Sequence, residues 1–315
     1  MKKFLLKCCF LSCTVIFLLV ISNFLFVNSV AYNNILVDRE VTKFFDVQDD
    51  LQIVNFGTSH GRSSLNYENY AEYNTFNFAM SSQYLIYDKI LLEAYLDNIA
   101  DNAIAIIPIS YFSLYRNEID SRDFESRNKR YYDFLESEHI INCDISYYYL
   151  NKYFPLLALD AGNVIESFKT FEKKEYTGMY YDILDINSAE QIGYNRFLYH
   201  TNLFDNPHQP TALPENTTQI KEIIKLCESK NITPVFITTP LYHTYTDNFS
   251  KEFFDTFYSD ITSITNGYLY LDYSKDERFH TNNLYFNDTD HLNCDGAIYF
   301  TDILLSDIDT LIGLP

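Results

Sequence analysis

The chain has 315 residues, 47% of them hydrophobic, and a formal net charge of −20. That apolar content supports a large folded domain and excludes a mostly disordered chain. The excess of 43 acidic over 23 basic residues repels polyanions, which argues against a nucleic-acid partner.

Lys2, Lys3 and Lys7 precede an apolar run of twenty residues from Cys8 to Val27. As a helix the run is about 30 Å long, the thickness of a bilayer core. A cleaved signal peptide has a shorter apolar centre and small residues before the cut, and Val27-Asn28-Ser29-Val30-Ala31 signals cleavage poorly. Residues 1–30 therefore read as a cytoplasmic tip and an uncleaved anchor. The positive-inside rule puts the rest of the chain outside the cytoplasm, on a single-pass anchor in the cell membrane. Leu11-Ser12-Cys13 comes too early, with apolar residues continuing beyond it, to mark lipoprotein processing.

Residues 31–49 read as a stalk with an approach helix, and residues 50–315 as one domain. Leu51–Phe56 is a short β-rich run ended by Gly57, and residues 74–78 form another. Apolar residues at near-helical spacing predict a helix over 84–99. The continuous run Ala103–Ile109 has the character of a buried parallel strand. Residues 112–212 carry no long periodic signal and read as an insertion of short helices covering one side of the site. Regular pattern returns with a helix at 217–230, strands at 232–238 and 268–273, and a last helix at 295–312. Strands alternating with helices predict an α/β three-layer sandwich around a parallel sheet. Cys143, Cys227 and Cys294 are isolated, so there is no disulfide framework and no CxxC pair.

Ser59 follows the first strand of this domain, in Phe56-Gly57-Thr58-Ser59-His60-Gly61. A serine at the C-terminal end of a strand, next to a glycine that permits a tight turn, is presented where α/β proteins place their sites. The plainer alternative is a helix N-cap serine. Asp288 and His291 are three residues apart in a loop before the last helix. There the carboxylate can hold Nδ1 of the imidazole and leave Nε2 to take the serine proton. A neutral hydroxyl needs such a base to act as a nucleophile. The competing readings of this loop are a solvated Asp- and Asn-rich turn, or a metal site of Asp288, Asp290 and His291. One histidine and two adjacent acids make a poor tetrahedral set, so no metal is expected.

The order Ser, Asp, His, with Asp and His three apart, resembles the SGNH (GDSL-like) hydrolase family over the chain from about residue 51 onward. Gly57-Thr58-Ser59 resembles its first block. Residues 77–83 (Asn-Phe-Ala-Met-Ser-Ser-Gln) resemble its second, where a backbone N–H, usually from glycine, joins the oxyanion hole. Phe286 to Gly296 resembles its last. The resemblance implies an SGNH/flavodoxin-like sheet and an acyl-serine mechanism with Ser59, Asp288 and His291 as triad. It also implies backbone N–H groups of Ser59 and Ser82 as oxyanion donors, and no cofactor. The family's Gly-x-Asn-Asp block is absent after the strand ending at Ile109. Pro108-Ile109-Ser110-Tyr111 stands there, with Ser110 as the one substitute donor. His60, Arg62 and Gln83 are expected to line the substrate site.

The anchor and the missing asparagine look more like the extracytoplasmic branches of the family. These include alginate-type polysaccharide O-acetyltransferases and the teichoic acid D-alanine transfer protein. By that analogy the partner is a cell-surface polysaccharide or teichoic-acid-like polymer, with a membrane-bound O-acyltransferase as the acyl donor. The missing block leaves open an inactive binding or assembly subunit. Gly57-Thr58-Ser59-His60-Gly61 also satisfies the nucleophile elbow of α/β-hydrolases, but there several strands precede the serine and the triad acid and histidine lie far apart.

Overall fold

The computed structural model describes residues 1–116, 124–160, 162, 164–165, 168–169 and 172–315. The chain divides into two compact units, Met1–Asp46 with Asp123–Thr177, and Val47–Arg122 with Gly178–Pro315.

The larger unit is built on a five-stranded parallel sheet: β1 (Leu51–Asn55), β2 (Thr75–Asn77), β3 (Ile99–Pro108), β4 (Thr233–Thr238) and β5 (Leu269–Asp272), in the order β2-β1-β3-β4-β5. This is the flavodoxin-like order, in which connections leave β1 and β3 toward opposite faces and open a crevice at the strand ends between them. β3 is central, and its residues from Ala103 to Pro108 are buried, which is why that stretch reads as an unbroken apolar run. On one face Ile53, Ile104, Ile106, Val235 and Ile237 pack with Phe300, Leu304, Leu305 and Ile308 of the helix Cys294–Ile312. Helices Leu85–Ala94 and Pro214–Ser229 pack against each other, and the latter lies along β4. The fold class expected from the sequence is the one observed.

The smaller unit is helical among its described residues. It contains the helix Lys2–Val27, long and apolar enough to cross a membrane. The helix Val30–Asp38 follows, with short helices at Phe124–Asn128, Ile145–Tyr153 and Pro155–Ala158. Asn34 donates to the carbonyl of Glu172 and accepts from the amide of Lys174, Arg39 pairs with Asp133 at 2.7 Å, and Phe44 stacks on Phe134.

The unit boundaries differ from those expected. Residues 31–46 fall in the smaller unit, where Asn33, Asn34, Asp38 and Arg39 bond to residues between 133 and 174. The expected insertion 112–212 is shared: its stretch Asp123–Thr177 groups with the N-terminal segment, while the residues before Asp123 and from Gly178 onward belong to the sheet unit. Residues 117–123 lie outside the described residues.

Candidate active site

β1 ends at Asn55, and Gly57 turns the chain with φ +111°, a conformation that favours glycine. The helix Ser59–Ser64 then begins. Its N-cap is Thr58, whose hydroxyl accepts from the amide of His60, so Ser59 is not spent on capping. The turn is tight: a Cβ at Gly61 would sit 2.3 Å from the carbonyl oxygen of Phe56. Two asparagines at the ends of neighbouring strands hold this helix down. Asn77 donates to the carbonyls of Gly61, Arg62 and Leu65, and Asn55 donates to Gly61 and to Asn77.

The loop 287–291 closes on itself through the amide of Asn287 donating to His291 O, with Phe286 and Leu292 bridged on either side. Asp288 Oδ1 accepts the amides of Asp290 and His291, and both its oxygens lie 2.9 Å from Nδ1 of His291. A carboxylate only accepts, so Nδ1 carries the proton and Nε2 is left as the acceptor. Nε2 lies 2.8 Å from Ser59 Oγ. The structure thus brings together the three residues singled out from the two distant segments. Ser59 remains partly exposed, while His291 is buried. The arrangement can move a proton from the hydroxyl to a base that a carboxylate orients.

Behind His291 lies a layer that sequence reasoning missed. Asp290 is fully buried, and Arg196 grips it with both fork nitrogens at 2.6 Å. His60 Nε2 donates to the same carboxylate at 3.0 Å, and Nε2 of His200 stands 3.8 Å away. Burial works to raise the Asp290 carboxyl, but the charge of Arg196 and the bond from His60 outweigh it and hold the group well below its ordinary range. Burial pushes His60 down and His200 well below the usual histidine value, so both rings are neutral at neutral pH. Arg196 and His200 come from the helix Ala189–Thr201, inside the stretch without sequence periodicity. The one sequence signal was Asp290 itself, a second acid beside His291 in an Asp- and Asn-rich loop.

The remaining expected residues fall out unevenly. His60 does not line a substrate surface: its ring is buried between Asp290 and Ser110, whose Oγ is 2.8 Å from Nδ1. With Nε2–H given to Asp290, Nδ1 of the neutral ring must accept, so the Ser110 proton is committed to His60 rather than to an oxyanion. Gln83 is also buried. Its amide donates to Asp88 at 2.6 Å, and Asp88 in turn accepts the amide of Gly57. Asp88 has no cationic partner among these bonds, and burial pushes its carboxyl up to about 7. Arg62 lies with its guanidinium 4.6 Å from the ring of Tyr180, and that ring is 5.5 Å from His291. Ser82 has φ +52°, the left-handed region where glycine is at no disadvantage. Two residues before it, the amide of Met80 donates to the carbonyl of Gly57, itself two residues before Ser59.

Donor atoms of His60, Asp290 and His291 lie within 4.8 Å of one another, the spacing of a metal site. Both Asp290 oxygens already face a guanidinium, which repels a cation, and the His291 nitrogens face Asp288 and Ser59. The set therefore fits an ion pair better than a metal.

No protein-family model matches the chain, and no curated protein does. Among solved structures, one described as a candidate acylhydrolase from Bacteroides fragilis matches with 9% identity and a TM-score of 0.40, covering 87% of this chain and 95% of that one. At that level the likeness carries no argument about activity or substrate, and the site rests on its own geometry.

Proposed function

We propose that the protein is a membrane-anchored serine esterase or O-acyltransferase of the SGNH type. The observation that carries this reading is the relay in which Ser59 Oγ lies 2.8 Å from His291 Nε2 and His291 Nδ1 lies 2.9 Å from the Asp288 carboxylate. Ser59 Oγ attacks the acyl carbonyl carbon while its proton passes to His291 Nε2. Asp288 stabilises the imidazolium. The backbone N–H groups of Ser59 and Ser82 hold the oxyanion. The imidazolium then protonates the departing oxygen, leaving an acyl-serine. Water or a sugar hydroxyl gives a proton to Nε2 and attacks the acyl carbon, and the imidazolium then passes that proton to Ser59 Oγ as the acyl–Oγ bond breaks. The helix Lys2–Val27 holds the unit at the extracytoplasmic face of the cell membrane. There a cell-surface polysaccharide or teichoic-acid-like polymer is the acceptor and a membrane-bound O-acyltransferase the acyl donor.

The test uses the full chain in detergent micelles, with p-nitrophenyl acetate as substrate and a fluorophosphonate as probe. Ser59→Ala should abolish labelling and lower turnover by about 10³-fold or more. Full activity in that variant ends the proposal. A second reading, an inactive binding subunit, draws on the commitment of the Ser110 hydroxyl to His60. It would be favoured if well-folded protein failed to label at Ser59.

A further inference from the structure

The smaller unit carries a surface that the proposed reaction does not use. The helix Ile145–Tyr153 buries Tyr148 and Asn151, and Pro155 is buried just beyond it. Ile145, Tyr149, Leu150, Tyr153 and Leu157 are left exposed. Ile145, Tyr149 and Tyr153 recur at four-residue spacing and so share one face. The rings of Tyr149 and Tyr153 stack in parallel on it, 6.2 Å apart. An exposed apolar face of this kind marks a contact surface.

Its depth is fixed by two hydrogen bonds. Asn23 donates to the carbonyl of Tyr153 at 3.0 Å and accepts from the amide of Leu156 at 3.2 Å. Asn23 belongs to the helix Lys2–Val27, in which it and Phe26 are the buried residues. It lies four residues before that helix ends, or about 6 Å below the end at 1.5 Å per residue. A polar amide at that depth in an apolar helix is costly unless satisfied, and these two bonds satisfy it. The backbone of residues 153–156 is thereby held level with the last turn of the apolar helix.

We propose that this face rests in the bilayer itself, with Tyr149, Tyr153 and Leu157 among the lipid headgroups and upper acyl chains. The inference rests on the reading that Lys2–Val27 spans a membrane. Lipid is the occupant because the face is continuous with that helix and reaches the depth of its final turn. Tyrosine, with an apolar ring and a polar tip, suits that zone. The result is an interfacial foot beside the span rather than a single thread through the membrane.

The sequence contains no tryptophan, so one introduced indole reports alone. Tyr153→Trp and, separately, Leu157→Trp are made in the full chain and reconstituted into phosphatidylcholine vesicles. Two sites are used so that one poorly folding variant, recognised by circular dichroism, leaves the other to decide. The expected result is blue-shifted emission, quenched more strongly by lipids brominated near the headgroup than by lipids brominated at the chain end. Water-like emission without quenching, in protein that stays with the vesicles after an alkaline carbonate wash, overturns the inference and leaves the anchor intact. Blue-shifted emission without bromolipid quenching also overturns it, since the face is then covered by protein. Protein that washes off the vesicles overturns the spanning helix as well.

Discussion

Two fully buried carboxylates flank the helix that presents Ser59, and they solve the same electrostatic problem in opposite ways. Asp290 keeps its charge, because Arg196 supplies a bidentate counter-ion and His60 a further donor. Asp88 has only the amides of Gly57 and Gln83, so burial pushes its carboxyl up to about 7. An ionised carboxylate in a low-dielectric interior must find a cation or keep its proton. On the His291 side the protein has a fixed charge, and on the Gly57 side a titrating group.

The sharpest test of this contrast adds the third carboxylate, Asp288, a quarter exposed and bonded to the imidazole rather than to a cation. Asp288→Asn should lower kcat by about 10⁴-fold, because an amide can donate to Nδ1 and impose the wrong tautomer. Thermal stability should move little, and an equally large fall in melting temperature would make Asp288 a structural residue. Arg196→Ala should cost about 3–5 kcal/mol of stability, since it strands a buried charge. If unfolding in urea shows a loss below about 1 kcal/mol, surface-pair behaviour instead, the fixed-charge account of Asp290 fails. Gly61→Ala forces a Cβ against the Phe56 carbonyl and should cost about 1–3 kcal/mol, measured the same way.

The smallest effect concerns the sign of the pH dependence. His60 and His200 have folded values below the ordinary 6.5, so the stability they contribute is present above 6.5 and is lost as pH falls through their folded values. Asp88 has a folded value of about 7 against 3.8, so its contribution is present below 3.8 and is lost as pH rises through about 7. The two regions oppose each other between those limits. Asp88→Asn removes one opposing proton, so the rise of stability with pH in that window should steepen by about 1.4 kcal/mol per pH unit. An unchanged slope in urea titrations across that range would mean that Asp88 is ionised in the folded protein.

Ser59, Asp288 and His291 could be singled out in advance because their signals are local. A strand, a glycine and a serine stand together at 51–59, and an acid and a histidine three apart fit one loop. The sheet could be read for the same reason, with the buried run in β3 as its clearest mark. Arg196 and Asp290 could not be paired by sequence, since their contact spans 94 residues and neither sits in a periodic segment. Gln83 and His60 were misplaced because adjacency in sequence to a site does not say which way a side chain faces. The helix Lys251–Ile264 has a periodic signal of its own: Phe253, Phe257 and Ile261 recur every four residues and are all buried. The division into two units was hidden because it depends on side-chain ties such as Asn34 to residues 172–174, which no composition shift announces.

The hydroxyl and its base are separated by 232 residues of chain. A polypeptide that emerges from its N-terminal side therefore exposes Ser59 long before His291 exists to activate it. During synthesis the alcohol is an ordinary, unreactive serine. In the proposed reaction, reactivity would be switched on only when the sheet has closed and the late loop has docked, so a stalled or clipped chain would carry no stray acylating power.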